Sequence, residues 1–187
     1  MSIDAQEVIS EINELRTYPS RYGNKIQKYS NYFDEKSGKI LRVPGSNVGI
    51  KTNEGRDGYL EAADFLKNEA TAVSAFEPSD GLTAIAQDFL DQVVRMDPSR
   101  VGEINMDDII ARHGEFTGNF SRAMEFGANT SEQVVINLVV SDGDKTRGQR
   151  DSLLNANLKR IGVATGKHDT YRTCTVIVSC TKFTDNY

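Results

Sequence analysis

Near the C-terminus lie two short runs, KRIGVATG (159–166) and YRTCTVIVSCTKF (171–183), rich in β-branched residues and separated only by the polar KHDT. Two such runs with so short a connection predict an antiparallel pair. Upstream the period is different. Residues 2–16 place Val8, Ile9, Ile12 and Leu15 on one stripe, with Ser2 or Asp4 available as a cap and Tyr18-Pro19 as the stop. Helical spacing returns over 58–68, with Leu60, Ala63, Phe65 and Leu66, and is strongest over 82–96, with Leu82, Ile85, Ala86, Phe89, Leu90 and Val93. MDDIIARHG (106–114) predicts a short helix closed by Gly114. The apolar run of SEQVVINLVVSDG (131–143) fits either period, and the Ser-Glu-Gln start favours a helix. Helices first and a hairpin last describe an α+β arrangement. Between them, residues from 24 to about 57 are polar and glycine-rich, which reads as an irregular excursion of the kind used for function or attachment.

A chain of 187 residues with 38% apolar and 26% charged content is sized for one domain, 1–187, with a substantial core. Its 22 basic and 27 acidic residues give a net charge of −5 with no basic run, which argues against nucleic acid or an anionic membrane surface as a partner. VVINLVV (134–140) is too short for a membrane span. The N-terminus lacks the basic start and apolar stretch of a secretory signal, so the expected location is cytoplasmic. Cys174 and Cys180, six residues apart on one predicted strand, would lie ~20 Å from each other, too far for a disulfide. They read as buried thiols, in keeping with a reducing compartment. Asn119-Phe-Ser and Asn129-Thr-Ser match the glycosylation triplet, which matters only in a secreted chain.

Several motifs fail on inspection. GVATGKH is one residue short of a phosphate loop and has His where Ser or Thr is needed. Asp142-Gly-Asp144 lacks the remainder of a calcium loop and reads as a turn. Neither cysteine has a histidine partner set by motif, which argues against a thiol nucleophile.

The order of the remaining motifs resembles the CAP superfamily, the SCP-like group of cysteine-rich secretory, venom-allergen and pathogenesis-related proteins. INELRTYPSRYG (12–23) is similar to that family's Asn-x-x-Arg-x-x-Pro opening. EGRDGYLEAADFLKN (54–68), GLTAIAQDFLDQ (81–92) and RHGEFTGNFSRAMEFG (112–127) resemble its next segments. The stretch 134–168 resembles its signature, in which an aliphatic helix leads to Asp-Asp-Gly, Arg-Gly-His-Arg, an Ile-Gly-Val strand and a terminal His. The resemblance implies a three-layer α-β-α sandwich around a central antiparallel sheet, and makes 134–140 helical.

It also implies a cleft with two histidines and two acids able to hold a divalent metal, and here this chain departs. No histidine occurs before residue 113. The glutamate of the family pattern falls on Arg122, the second acid on Ser141 or Asp142, and the second histidine on Gln149, a neutral amide and a poor ligand. Arg122 is expected to bond Gln149 or Asp142 across the former cleft. His113 and His168 are expected to be structural, and Arg147 and Arg150 to anchor loops near Asp142, Asp144 and Asp151, or else to contact a partner. No catalytic residue, metal or cofactor is assigned. The expected role is that of a non-enzymatic scaffold or protein-binding module in a larger intracellular assembly, with cytoskeletal and ciliary assemblies among the hosts that fit. Lipid or sterol binding is the alternative, for which Tyr29, Tyr32 and Phe33 are the apolar candidates in the excursion. A metal-dependent hydrolase is the third reading.

Overall fold

The computed structural model describes residues 2–186. Helix α1 (Ala5–Thr17) starts at Asp4, whose carboxylate accepts the Glu7 amide, and buries Val8, Ile9, Ile12 and Leu15. Pro19 does not end the helical region. It is the first residue of α2 (Pro19–Tyr29), a position where its missing N–H costs nothing. Tyr22, Ile26 and Tyr29 then form a buried stripe at helical spacing. The excursion expected from residue 24 is therefore corrected: it begins after a 3-10 turn at Ser30–Tyr32, and Tyr29 and Phe33 belong to the core. What remains is an arm, folded by a two-residue antiparallel ladder between β1 (Ile40–Leu41) and β2 (Ile50–Lys51).

Helix α3 (Arg56–Asn68) buries Tyr59, Ala62, Ala63 and Leu66, while Leu60, expected on the buried face, is exposed. Strand β3 (Glu77–Pro78) leads to α4 (Asp80–Val93), where the whole expected stripe from Leu82 to Val93 is buried. A 3-10 segment (Pro98–Glu103) and α5 (Met106–His113) precede β4 (Gly114–Phe126), a long strand that periodicity alone does not announce. Thr130 caps α6 (Ser131–Val140) by accepting the Gln133 amide, which resolves the helix-or-strand ambiguity. Then come α7 (Gly148–Leu154) and the hairpin of β5 (Arg160–His168) and β6 (Arg172–Asp185).

The main sheet has the order β3-β5-β6-β4. β6 pairs antiparallel with both long neighbours, from Arg160↔Cys180 to His168↔Arg172 on one side and from Gly114↔Asp185 to Phe126↔Cys174 on the other. The fold is α+β. The expected central antiparallel sheet is formed by β4, β5 and β6, and β3 makes the sheet mixed by joining β5 in parallel through Glu77↔Arg160 and Pro78↔Ile161. The chain runs from β3 into α4 and returns to the sheet much later, so no tight turn forces antiparallel pairing.

Each sheet face carries its own apolar layer, as strand alternation requires. Ile161, Val163, Ile177 and Ala123 pack with residues of α1, α2, α3 and α6. Ala164, Cys174, Val176, Val178 and Cys180 pack with α4 and α5 on the other side. The result is three layers, α-β-α. Gly162 lets α4 lie directly on the sheet, since a Cβ there would overlap the main chain of Leu82 and Thr83. Both thiols are free and buried, with their pKa pushed up to about 12 at Cys174 and about 11 at Cys180, chiefly by burial.

The opening motif is a joint. Asn13 exchanges two hydrogen bonds with the main chain of Phe76. Arg16, fully buried, donates to the carbonyls of Ser74, Leu153, Asn155 and Leu158 and lies over the Phe76 ring at 3.8 Å. Burial lowers its pKa to about 10, so it stays charged at neutral pH.

Candidate functional site

A cleft of about 310 Å³ opens where the arm meets the C-terminal end of α6 and the last residues of β4. Its rim is held by a reciprocal clamp. Asp142 accepts the amides of Asn53 at 2.7 Å and Glu54 at 2.8 Å. Glu54 in turn accepts the Gly143 amide at 2.9 Å and two bonds from Arg147, at 2.6 and 2.8 Å. That guanidinium, followed by the Gly143 amide, holds the Glu54 carboxyl down at about 2.

Arg147 also donates to the carbonyls of Val140, Ser141 and Asp144, occupying groups that the end of α6 leaves open. Arg150, 2% exposed, donates to Val139 O and makes a two-pronged bond to Glu61 at 2.9 and 2.6 Å. The ion-pair partners of the two arginines are Glu54 and Glu61, and of the aspartates expected nearby Asp144 takes a bond from Arg147 at its carbonyl. The physical reason is the arm: it brings α3 and its preceding loop, distant in sequence, against the α6–α7 turn.

Arg122 is also a correction. It lies over the Phe89 ring of α4 at 4.6 Å, on the face of the sheet opposite the cleft, and neither Gln149 nor Asp142 is its partner. β4 lines the cleft with Met124, Glu125 and Phe126, and the charged group among them is Glu125, three residues beyond Arg122 and of opposite strand parity. Glu125 is 6% exposed and accepts Asn137 Nδ2 at 2.9 Å and the Ala128 amide at 3.4 Å. Burial outweighs both bonds and pushes its pKa up to about 7. The pKa of Tyr59, across the cleft, is raised by burial and by Asp142 and Glu125. Sequence reasoning missed Glu125, Asn137 and Tyr59. The signal available for Glu125 was a lone carboxylate between apolar residues in AMEFG, legible once β4 is known to be a strand.

Gln149 lines the cleft from the first turn of α7, half-buried, and its amide has no hydrogen-bond partner among the described residues. Ser141 closes α6 in the left-handed region (φ 52°) with its buried Oγ unpartnered among the described residues. His113 lies 2.7 Å from Asp88 and His168 accepts the amides of Thr170 and Tyr171, at opposite ends of β6.

A metal of the kind implied by the CAP resemblance does not fit these donors. Both Asp142 oxygens accept main-chain amides, Asp144 Oδ1 accepts from Thr146, and Gln149 is a neutral amide, which leaves Glu125 and one oxygen of Asp144, with no histidine lining the cleft among the described residues. The cleft instead presents amides and a half-protonated acid, groups that both donate and accept hydrogen bonds. A second hollow of about 280 Å³ shares Ile50, Phe126 and Asn137 with it, extending it into a groove. Val48 (43% exposed), Ile50 (37%) and Tyr171 (45%) stand along its edge. No helix among the described residues is long and apolar enough to cross a membrane.

No described family's sequence pattern matches the chain. No curated protein sequence matches it either. Among solved structures it is similar to an outer surface protein from Borrelia burgdorferi, with a TM-score of 0.45 and 14% identity over 71% of this chain and 97% of that one.

Proposed function

We propose that this chain is a non-enzymatic binding module of CAP-like descent, a structural subunit that holds a segment of another protein in the groove within a larger intracellular assembly. One observation carries the reading: at the cleft rim both Asp142 oxygens are taken by main-chain amides and Glu54 is paired with Arg147, so these charges are engaged within the protein. Facing the groove are the amides of Asn137 and Gln149, the Glu125 carboxyl and exposed apolar surface. Amides pair with the main chain of an extended segment, and Val48, Ile50 and Tyr171 offer apolar contacts to its side chains. A sterol fits less well, because its rings would leave Glu125, Asn137 and Gln149 without partners at the floor.

Crosslinking of the native protein through Lys51, exposed beside the groove, tests this. The expected result is a defined partner crosslinked to Lys51, lost in Ile50→Asp/Tyr171→Asp while the melting temperature holds. Isolation of the native protein as a lone monomer overturns it.

A second reading, acid–base catalysis, is favoured by Glu125, a carboxyl poised near neutrality in a cleft. A hydrolytic activity abolished by Glu125→Gln with the fold intact would favour it over the binding module.

A further inference from the structure

A third hollow, of about 540 Å³, lies beyond the groove between the N-terminal segment and the β5–β6 hairpin, and shares Asn129 and Arg172 with the groove. Although the chain carries a net charge of −5, among the described residues no carboxylate lines this basin, and the two charged side chains lining it are Lys167 and Arg172. Ion pairing and hydrogen bonding within the protein engage most of the guanidiniums near the cleft. Lys167 and Arg172 differ: among the described residues neither side chain has an ion pair or hydrogen bond.

Arg172 is also held at φ 71°, in the left-handed region where glycine or asparagine is the inexpensive choice. A long cation kept at a disfavoured position, at the mouth of a hollow, with nothing in the protein to bind, signals a role toward a ligand.

The other polar atoms narrow the ligand's chemistry. Thr165 Oγ1 donates its hydrogen to Ile3 O at 2.9 Å and Thr173 Oγ1 to Ala128 O at 2.7 Å, so both hydroxyls have only lone pairs left to offer. A phosphate, with oxygens on every side, would face those lone pairs. A carboxylate has two oxygens in one plane, matching the fork of one guanidinium.

We infer that this basin is a binding site for a small organic carboxylate, with Arg172 taking its two oxygens, Lys167 adding a second positive charge, and the apolar part of the ligand resting against Ile3. The inference does not rest on the protein partner proposed for the groove, although Asn129 and Arg172 line both hollows.

The test is titration of the purified protein with hexanoate, read by the amide shifts of residues 165–167 and 172–173, with inorganic phosphate and hexylamine in parallel. Saturable shifts with hexanoate alone are expected. Arg172→Gly should weaken that binding at least tenfold while the melting temperature stays level or rises, because glycine accepts the left-handed backbone. Lys167→Gln should weaken it as well, and Lys36→Gln, an exposed charge elsewhere, should leave it unchanged. Phosphate binding as tightly as hexanoate, hexanoate binding that survives Arg172→Gly, or a lowered melting temperature in that variant would each overturn the assignment.

Discussion

Glu125 shows how a single side chain can tie a site to the stability of the fold. Its ordinary value is 4.5, and in the folded chain burial raises it to about 7. The unfolded chain thus releases this proton near pH 4.5 and the folded chain near pH 7. The stabilising contribution is complete below pH 4.5 and is lost as pH rises to 7, at about 1.4 kcal/mol per pH unit within that window. Urea unfolding at pH 5 and pH 7.5 should show the wild type weaker at the higher pH, with Glu125→Gln removing that difference. The opposite slope belongs to Glu54, whose lowered value stabilises above its ordinary range and fails in acid. The CAP resemblance implied a cleft position for Gln149, which lines the cleft here, through a motif whose Arg-Gly-Gln-Arg spacing is local. It chose Arg122 over Glu125 because motif spacing ignores strand parity, and parity decides which face a residue sees.

At the scale of the element, the arm between Phe33 and Arg56 is folded by main-chain hydrogen bonds and closed at each end by a carboxylate that accepts main-chain amides. Asp34 accepts the amides of Ser37 and Ile40, closing the near end, and Asp142 accepts those of Asn53 and Glu54, closing the far end. Asp142→Ala should raise amide exchange over residues 39–55 at least tenfold. Global stability should fall by about 2 kcal/mol, the range for lost hydrogen bonds to a charged group. Exchange unchanged in that segment would mean that the Arg147–Glu54 pair suffices alone. The long helices were legible because their stripes repeat: α1 and α4 bury the residues their periodicity named. α2 was not, because its stripe of Tyr22, Ile26 and Tyr29 is thin and opens on a proline. β4 was hidden by polar residues along its exposed side and by an irregularity between Thr117 and Phe120 that breaks the two-residue rhythm.

The whole molecule is two apolar layers divided by one sheet, and their separation depends on how closely α4 approaches. Gly162→Ala should cost about 3 kcal/mol, since the added methyl meets main chain that cannot yield without moving α4 away. A thermal melt compared with Gly166→Ala, where the nearest atoms are the flexible tip of Leu90, separates this close approach from a general effect of losing glycine. The α+β class could be read from the chain because it follows from the order of the periods. The mixed sheet could not, because β3 is two residues long and gains its place from α4 and β5.

Arg16 joins α1 to segments 58 to 142 positions away, and every one of its hydrogen-bond partners is a main-chain oxygen. Any amino acid supplies such an oxygen, so a change of side chain at Ser74, Leu153, Asn155 or Leu158 leaves these four acceptors in the chain, while the ring of Phe76 under the guanidinium is a side-chain contact. Distant descendants of one ancestor could keep this junction in space while sharing, at those four positions, no spelling at all.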